Sequence, residues 1–281
     1  MQKSTSIIEL IEYCRKTTEM KKALVVISLT FLMNFVVNAQ SKKNETMNTD
    51  KITVEIWSDV VCPFCLVGKK KMEMAILQLN AQSQIDIIWH SFQLDPDFPP
   101  DTSMSTTEYL SIRKGYPLQQ IEQMQDHLIN SGNLYGIDFK FNKAHSFNTF
   151  DVHRLLQWSK SFNKSNELKE AFMVAFFTDG IDLSKDANIL EIIGVLGLDT
   201  TKAKTILASE EYQKDVLEDI NLARQLGIRG VPFFLINGKE HISGAQDDSV
   251  FEKALASALK NIEKTTPTST NGICLPSGEC K

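Results

Sequence analysis

Hydrophobic and polar positions alternate in Ile52-Thr53-Val54-Glu55-Ile56-Trp57, a stretch rich in β-branched residues, and this pattern predicts a half-buried strand. Pro63 then stands where a helix's first turn tolerates proline, and Leu66, Met72, Ile76 and Leu79 continue at helical spacing to about Asn80. Residues 85–92 read as a second strand, completing a β-α-β unit. The proline-rich stretch 95–100 breaks the pattern, and about a hundred mostly helical residues follow. Ser105-Thr106-Thr107-Glu108 has capping-box form, and Pro117 opens a helix whose Ile121, Met124 and Leu128 share one face, with Gly132 suited to its end. Further helices are expected at 147–162, 167–178, 187–196 and 200–207. The last third returns to strands: a helix over 210–226, then Gly227-Ile228-Arg229-Gly230-Val231-Pro232, a strand over 233–236, and Asn237-Gly238, a pair that favours a type I′ hairpin turn. A returning strand over 239–243 and a helix capped by Asp247 and running to about 262 close the pattern.

Read together, β-α-β, a helical block and α-β-β-α describe an α/β chain: a thioredoxin-like fold with a helical domain inserted after its β-α-β half. The expected boundaries are 52–94 and 210–263 for the thioredoxin-like domain and 95–209 for the insertion. Residues 40–51 read as a flexible lead and 264–281 as a flexible tail.

The first forty residues change the expected compartment. Met20-Lys21-Lys22 is a short basic start, residues 23–37 are apolar, and Val37-Asn38-Ala39 suits a signal peptidase, so 1–39 reads as a signal peptide with Met20 as its start. The apolar stretch is shorter than the roughly 20 residues of a membrane span, so no stable anchor is expected after cleavage. Cleavage removes five Lys/Arg and three Asp/Glu, taking the formal charge from −5 to −7 on 242 residues. An acidic, exported, periplasmic protein offers no basic face for nucleic acid. Cleavage also discards Cys14 and leaves Cys62, Cys65, Cys274 and Cys280, an even set where disulfides persist.

Those cysteines carry the candidate chemistry. With Pro63 opening the helix, Cys62 lies at its N-terminus, where free backbone N–H groups and the helix dipole favour a thiolate. Cys65, one turn later, can resolve the mixed disulfide that attack by Cys62 forms. Four sulfurs could instead bind zinc, but the five residues between Cys274 and Cys280 exceed the usual gap of about two to four, and export removes the reducing surroundings; no metal and no cofactor are expected. Pro232 at the first position of a strand marks a turn with either a trans or a cis bond. A cis bond would leave the Val231 backbone free to pair with a substrate peptide, as in strand addition.

Ser58-Asp59-Val60-Val61-Cys62-Pro63-Phe64-Cys65, Gly230-Val231-Pro232-Phe233-Phe234 and Ile242-Ser243-Gly244-Ala245-Gln246 together resemble the DsbA family of thiol:disulfide oxidoreductases, and more closely its FrnE-type branch. The resemblance spans about 52–262. It implies a thioredoxin-like fold with a helical insertion, Cys62 as nucleophile, Cys65 as resolving thiol, a cis Pro232, and protein thiols or disulfides as substrates together with a redox partner. Pro63, Phe64 and Val231 then border the substrate. Strongly oxidising members carry histidine where Phe64 stands, and Phe64 cannot hydrogen-bond a thiolate, so the direction of electron flow stays open. Neighbouring glutathione-dependent isomerases share the insertion but typically carry serine in place of the first cysteine. A non-catalytic peptide-binding or chaperone module on the same fold is the other alternative.

Four further positions are candidates. Glu55, mid-strand, could exchange protons with the resolving thiol, and Asp59 likewise, though its charge would raise the thiol pKa. Asn148 and His153 lie in Ser146-Phe147-Asn148-Thr149-Phe150-Asp151-Val152-His153-Arg154, which also resembles the FrnE-type branch, and are expected to line the cleft facing Cys62. Phe147, Trp158, Phe162, Phe172, Phe176 and Phe177 read as core. Cys274 and Cys280 could form a redox relay with the first pair, since the ten residues from Lys264 reach about 33 Å when extended.

Overall fold

The computed structural model describes residues 51–100 and 102–265. The signal segment 1–39, nearly all of the lead, and the tail with Cys274 and Cys280 lie outside the described residues.

Strand β1 (Ile52–Ser58) runs parallel to β2 (Ile85–Ser91), in register from Ile52 opposite Ile85 to Ser58 opposite Ser91. On its other side it pairs antiparallel with β5 (Phe233–Ile236), Val54 opposite Ile236 and Trp57 opposite Phe233, and β5 pairs with β6 (Glu240–Ser243). The order β2-β1-β5-β6 therefore brings together two halves separated by some 140 residues of sequence. Asn237 and Gly238 turn the β5–β6 hairpin with φ of 50° and 64°, both in the left-handed region that a type I′ turn demands. Asn237 also bonds β1: its amide donates to the Thr53 carbonyl at 2.8 Å, and its Oδ1 accepts from the Thr53 amide at 2.9 Å.

Helix α1 (Pro63–Gln78) starts at Pro63 as the sequence predicts and packs Met72, Ala75 and Ile76 on the sheet face formed by Val54, Ile56, Phe234 and Ile236. Gly68 brings it close: a Cβ there would sit 3.1 Å from both Pro232 Cγ and Phe234 Cζ.

Between β2 and β5 come β3 (Ser103–Ser105), a capping box of Ser105 and Glu108, a π-helical turn Tyr109–Arg113, and α2 (Leu118–Asn133). Then follow β4 (His145–Phe147), α3 (Phe150–Ser159), α4 (Ser165–Val174), α5 (Asp186–Val195), α6 (Thr200–Leu207) and α7 (Gln213–Gln225). Helix α8 (Asp248–Thr265) ends the described chain and lays Phe251, Ala254 and Leu255 beside α1 on the sheet. A second core joins the helical segment to the front of α1, uniting Leu155, Phe172, Phe176 and Phe177 with Cys62, Cys65 and Leu66.

Three local expectations need correction. The helix expected from 147 starts at Phe150, because 145–147 pair with β3 and the Asn148 Oδ1 accepts the Phe150 amide at 3.0 Å, capping the turn between strand and helix. The helix expected over 167–178 passes at Ala175 into a π-helical turn. Phe162 is half exposed rather than core: α3 ends at Ser159, and the turn closed by Asn163 in the left-handed conformation carries Phe162 outward, its ring edge-on to Trp158.

Candidate active site

Cys62 caps α1 in an extended conformation with Pro63 as the first helical residue, which places both sulfurs at the helix's positive end. The two thiols are free, buried and 3.2 Å apart. The Cys62 sulfur lies 3.5 Å from the Val231 carbonyl oxygen, and the Val231–Pro232 peptide bond is cis. Phe64, 40% exposed, and the partly buried Val61, Val231 and Ala245 give the pair an apolar surround.

The two thiols of the reduced pair share a hydrogen bond and influence each other's protonation. A proton shared with Cys65, then burial, then the negative charges of Cys65 and Asp59 push the Cys62 thiol well up. Burial works against the Cys65 thiolate as well, but hydrogen bonds from Cys62 and Ser58, the Lys169 charge and the Asp59 backbone outweigh it and hold Cys65 down. The Ser58 hydroxyl is buried, with no well-aligned hydrogen-bond partner among the described residues.

Beneath the pair lies a network of charged groups. The Asp59 Oδ2 accepts the Leu94 amide at 2.8 Å and its Oδ1 accepts from His153 Nε2 at 3.1 Å. Burial disfavours the Asp59 anion, but the His153 bond and the Leu94 amide prevail and keep its pKa low. Burial holds His153 neutral more than Asp59 can charge it, so Nε2 carries the proton and Nδ1, also buried, finds no partner among the described residues. Lys169, fully buried on α4, donates from Nζ to the Ser58 carbonyl at 3.0 Å. On its neighbour Glu170, Lys69 and Lys70 of α1 converge, Lys69 at 2.5 Å.

The other expected residues are placed differently. Glu55 does not reach the thiols: side chains alternate along β1, and Glu55 turns to the opposite face, where its Oε2 meets His90 Nε2 at 3.0 Å. His90 is stacked on Trp57 and bound through Nδ1 to Asp219 at 2.6 Å. Asn148 stands apart from the sulfurs, bonding Gln93 at 3.2 Å and the Phe98 carbonyl at 2.7 Å, and lines a cavity of about 240 Å³ with Gln93, Asp151 and Ser184. His153 does approach the pair, but through Asp59 rather than from an open cleft. Lys169 was not foreseen, although its signal is present: it shares a helical face with Phe172, Met173 and Phe176, all buried.

Residues 53–256 match the family described as DSBA-like thioredoxin domain. The chain belongs to that family. A crystal structure described as a probable DsbA oxidoreductase from Streptomyces coelicolor is 31% identical, with a TM-score of 0.72, covering 82% of this chain and 98% of its own. The uncharacterized protein YwbO of Bacillus subtilis (strain 168) is 27% identical over 212 residues, 74% of this chain and 98% of YwbO. A 2-hydroxychromene-2-carboxylate isomerase shares the fold at 15% identity and a TM-score of 0.59, covering 75% of this chain and 98% of its own. This DSBA-like chain thus shares a family with disulfide oxidoreductases, and the two cysteines stand at its helix N-terminus.

Proposed function

We propose that the protein is an exported thiol:disulfide oxidoreductase acting on protein thiols and disulfides. Cys62 attacks a substrate disulfide to form a mixed disulfide, Cys65 attacks the Cys62 sulfur, and the substrate leaves reduced by two electrons while the pair closes; the reverse sequence oxidises a substrate dithiol. The observation that carries this reading is the pair itself, 3.2 Å apart at the N-terminus of α1 with Cys62 beside the Val231 carbonyl. A substrate peptide is held along Val231 and Pro232, and Phe64 with Pro63 forms its apolar border. The signal pattern of residues 1–39 supports export to the periplasm. The division at 95 and 209 into a thioredoxin-like domain and an insertion belongs to the same proposal.

Insulin reduction and recovery of activity from scrambled ribonuclease test it. Cys62→Ser is expected to abolish both; a variant that retains them returns the protein to the peptide-binding or chaperone alternative. The direction of flow follows from the reduction potential of the pair, about −120 mV for an oxidase against about −270 mV for a reductase. The tail pair Cys274 and Cys280 is proposed to exchange with Cys62 and Cys65. A Cys65→Ser trap is expected to yield a peptide linking Cys62 to the tail, and a map without one ends that part of the proposal.

A further inference from the structure

Apart from the thiols, the chain holds a cavity of about 240 Å³ between the loop that follows β2, the junction of β4 with α3, and the start of α5. Its floor is apolar: Phe147, Val152, Leu183 and Ile189 line it and are buried. Its rim is exposed and carries two carboxylates, Asp151 on α3 and Asp186 at the first position of α5, beside Pro96 and Pro100. No lysine, arginine or histidine among the described residues lines it.

The walls are fixed by bonds of their own. Asn148 ties one side together: its Oδ1 accepts the Phe150 amide at 3.0 Å and Gln93 Nε2 at 3.2 Å, and its Nδ2 donates to the Phe98 carbonyl at 2.7 Å. On the other side Asp182 sets the turn into α5, its Oδ1 accepting the Ser184 amide at 3.0 Å and its carbonyl accepting Asn188 Nδ2 at 2.9 Å. The Ser103 hydroxyl donates to Asp182 Oδ2 at 3.2 Å and so ties β3 to the same turn. The cavity is therefore formed before anything enters it. Each rim carboxylate also has an oxygen to offer. Asp151 accepts from Arg154 Nη1 through Oδ1 at 2.7 Å and keeps Oδ2, while Asp186 makes no ion pair or side-chain hydrogen bond among the described residues. Arg154 itself does not line the cavity, because it is turned to the carbonyls of Glu211, Ile206 and Ser209.

The volume lies below the roughly 300–1,000 Å³ of pockets that take drug-sized molecules, so the occupant is small. A buried apolar floor with acceptors at an exposed rim suits a ligand whose body is apolar and whose cationic donor stays in contact with water, where its charge escapes the desolvation that deep burial imposes. A carboxylate or phosphate would instead meet the like charges of Asp151 and Asp186. We propose that this cavity binds a primary ammonium borne on a compact apolar body, the body on Phe147, Val152, Leu183 and Ile189 and the ammonium at the Asp151 and Asp186 carboxylates. Two sources present that chemistry, a free branched or aromatic amine and the N-terminal residue of a polypeptide. The site is independent of the oxidoreductase reading, since no step of the thiol exchange uses the cavity.

Amide chemical shifts of the full chain, followed by NMR at neutral pH, test the site with three probes of one shape: isopentylamine, the neutral isopentyl alcohol and the anionic isovalerate. The amine is expected to give saturable shifts at Val152, Ser184 and Asp186 and to bind at least about tenfold tighter than the alcohol, the weight of one hydrogen bond to a charged group, with no saturable shift from isovalerate. Equal affinity for amine and alcohol, tighter binding of isovalerate, or no saturable shift at those residues would overturn the proposal. Asp186→Asn, at an exposed position, is expected to weaken the amine about threefold, in keeping with a solvent-facing ion pair, and to leave the alcohol unchanged; an amine affinity equal to that of the native chain also overturns it. A leucyl-glycyl-glycine amide with a free amino terminus separates the sources. Binding as tight as that of isopentylamine, lost on acetylation, supports the site as one for polypeptide N-termini, and exclusion of the peptide while the amine binds supports it as one for free amines.

Discussion

The Asp59 carboxylate and the His153 ring, both fully buried, are joined at 3.1 Å, with the Leu94 amide on the second carboxylate oxygen. The pair couples stability to acid. His153 is lowered by burial below its ordinary value of 6.5, so at falling pH the unfolded chain takes up a proton that the folded chain refuses. Asp59 is held below 3.8, so its contribution is complete above that value and is lost as pH falls through the folded one. Both signs agree. The melting temperature is expected to fall as pH drops from 7 to 5, with His153 supplying a slope approaching about 1.4 kcal/mol per pH unit. His153→Gln keeps a donor for Asp59 and removes the titration, so calorimetry at pH 7 and 5 should show a smaller loss in this variant; an unchanged loss assigns the acid sensitivity to other groups.

Gly68 should tolerate no side chain. Alanine would place its Cβ 3.1 Å from Pro232 and Phe234, both buried in the sheet and unable to withdraw without moving α1. Overpacking of this kind costs about 1–3 kcal/mol, and the gain in helix propensity of about 1 kcal/mol offsets only part of it. Urea unfolding of Gly68→Ala should show a lower midpoint with an unchanged m-value.

Phe64 is the position to change for potential without changing the fold. Its side chain is 40% exposed and belongs to neither buried core, so Phe64→His leaves the core intact while adding a donor beside the thiols. A better stabilised dithiol makes the disulfide more oxidising, and the reduction potential against glutathione is expected to rise by about 30 mV or more, a tenfold change in the equilibrium constant. A potential that stays put or falls would remove Phe64 as a determinant of direction.

Asp219 is a structural counterpart on the other face of the sheet. Its carboxylate accepts from the Ser91 amide at 2.8 Å, Gln157 at 2.5 Å and His90 at 2.6 Å, and Trp57 Nε1 bonds its backbone at 3.3 Å. Asp219→Ala strands those donors under α7 and should cost about 3 kcal/mol. Because the network lies apart from the thiols, Cys62 alkylation at neutral pH should remain within about twofold of the parent; a large change would show that the two networks communicate.

Much of this architecture is legible before any coordinate. Alternation marks β1, Asn237-Gly238 marks the hairpin, Pro63 marks the start of α1, and α6 falls on 200–207 as expected. Each of those signals is local, set by the period of a face or the φ that a turn requires. What patterning cannot supply is which side chain from one segment meets which from another. Glu55 is a reasonable proton donor on β1 until the strand's alternation is anchored by its partners: Val54 and Ile56 join the α1 core, so Glu55 must face His90. Lys169 shares a helical face with apolar residues, but the group that it meets emerges only when α4 is laid against Ser58. The short strand β4 escapes notice because three residues are too few to show a period, and its pairing partner β3 lies about 40 residues away.

The attachment of Glu170 to Lys69 and Lys70 has a consequence for anyone transplanting this chemistry. Those ion pairs fix the rotation of α4 about its own axis relative to α1, and Lys169, the adjacent residue, can then point only inward. A minimal graft of residues 52–94 and 210–263 would carry both cysteines and the proline but would leave Lys69 with half its carboxylates and the Ser58 carbonyl without its ammonium. Such a graft would inherit the motif and lose the buried ammonium that binds the Ser58 carbonyl. The helical segment is thus more than cover for the sheet: it carries a buried positive charge to the end of β1.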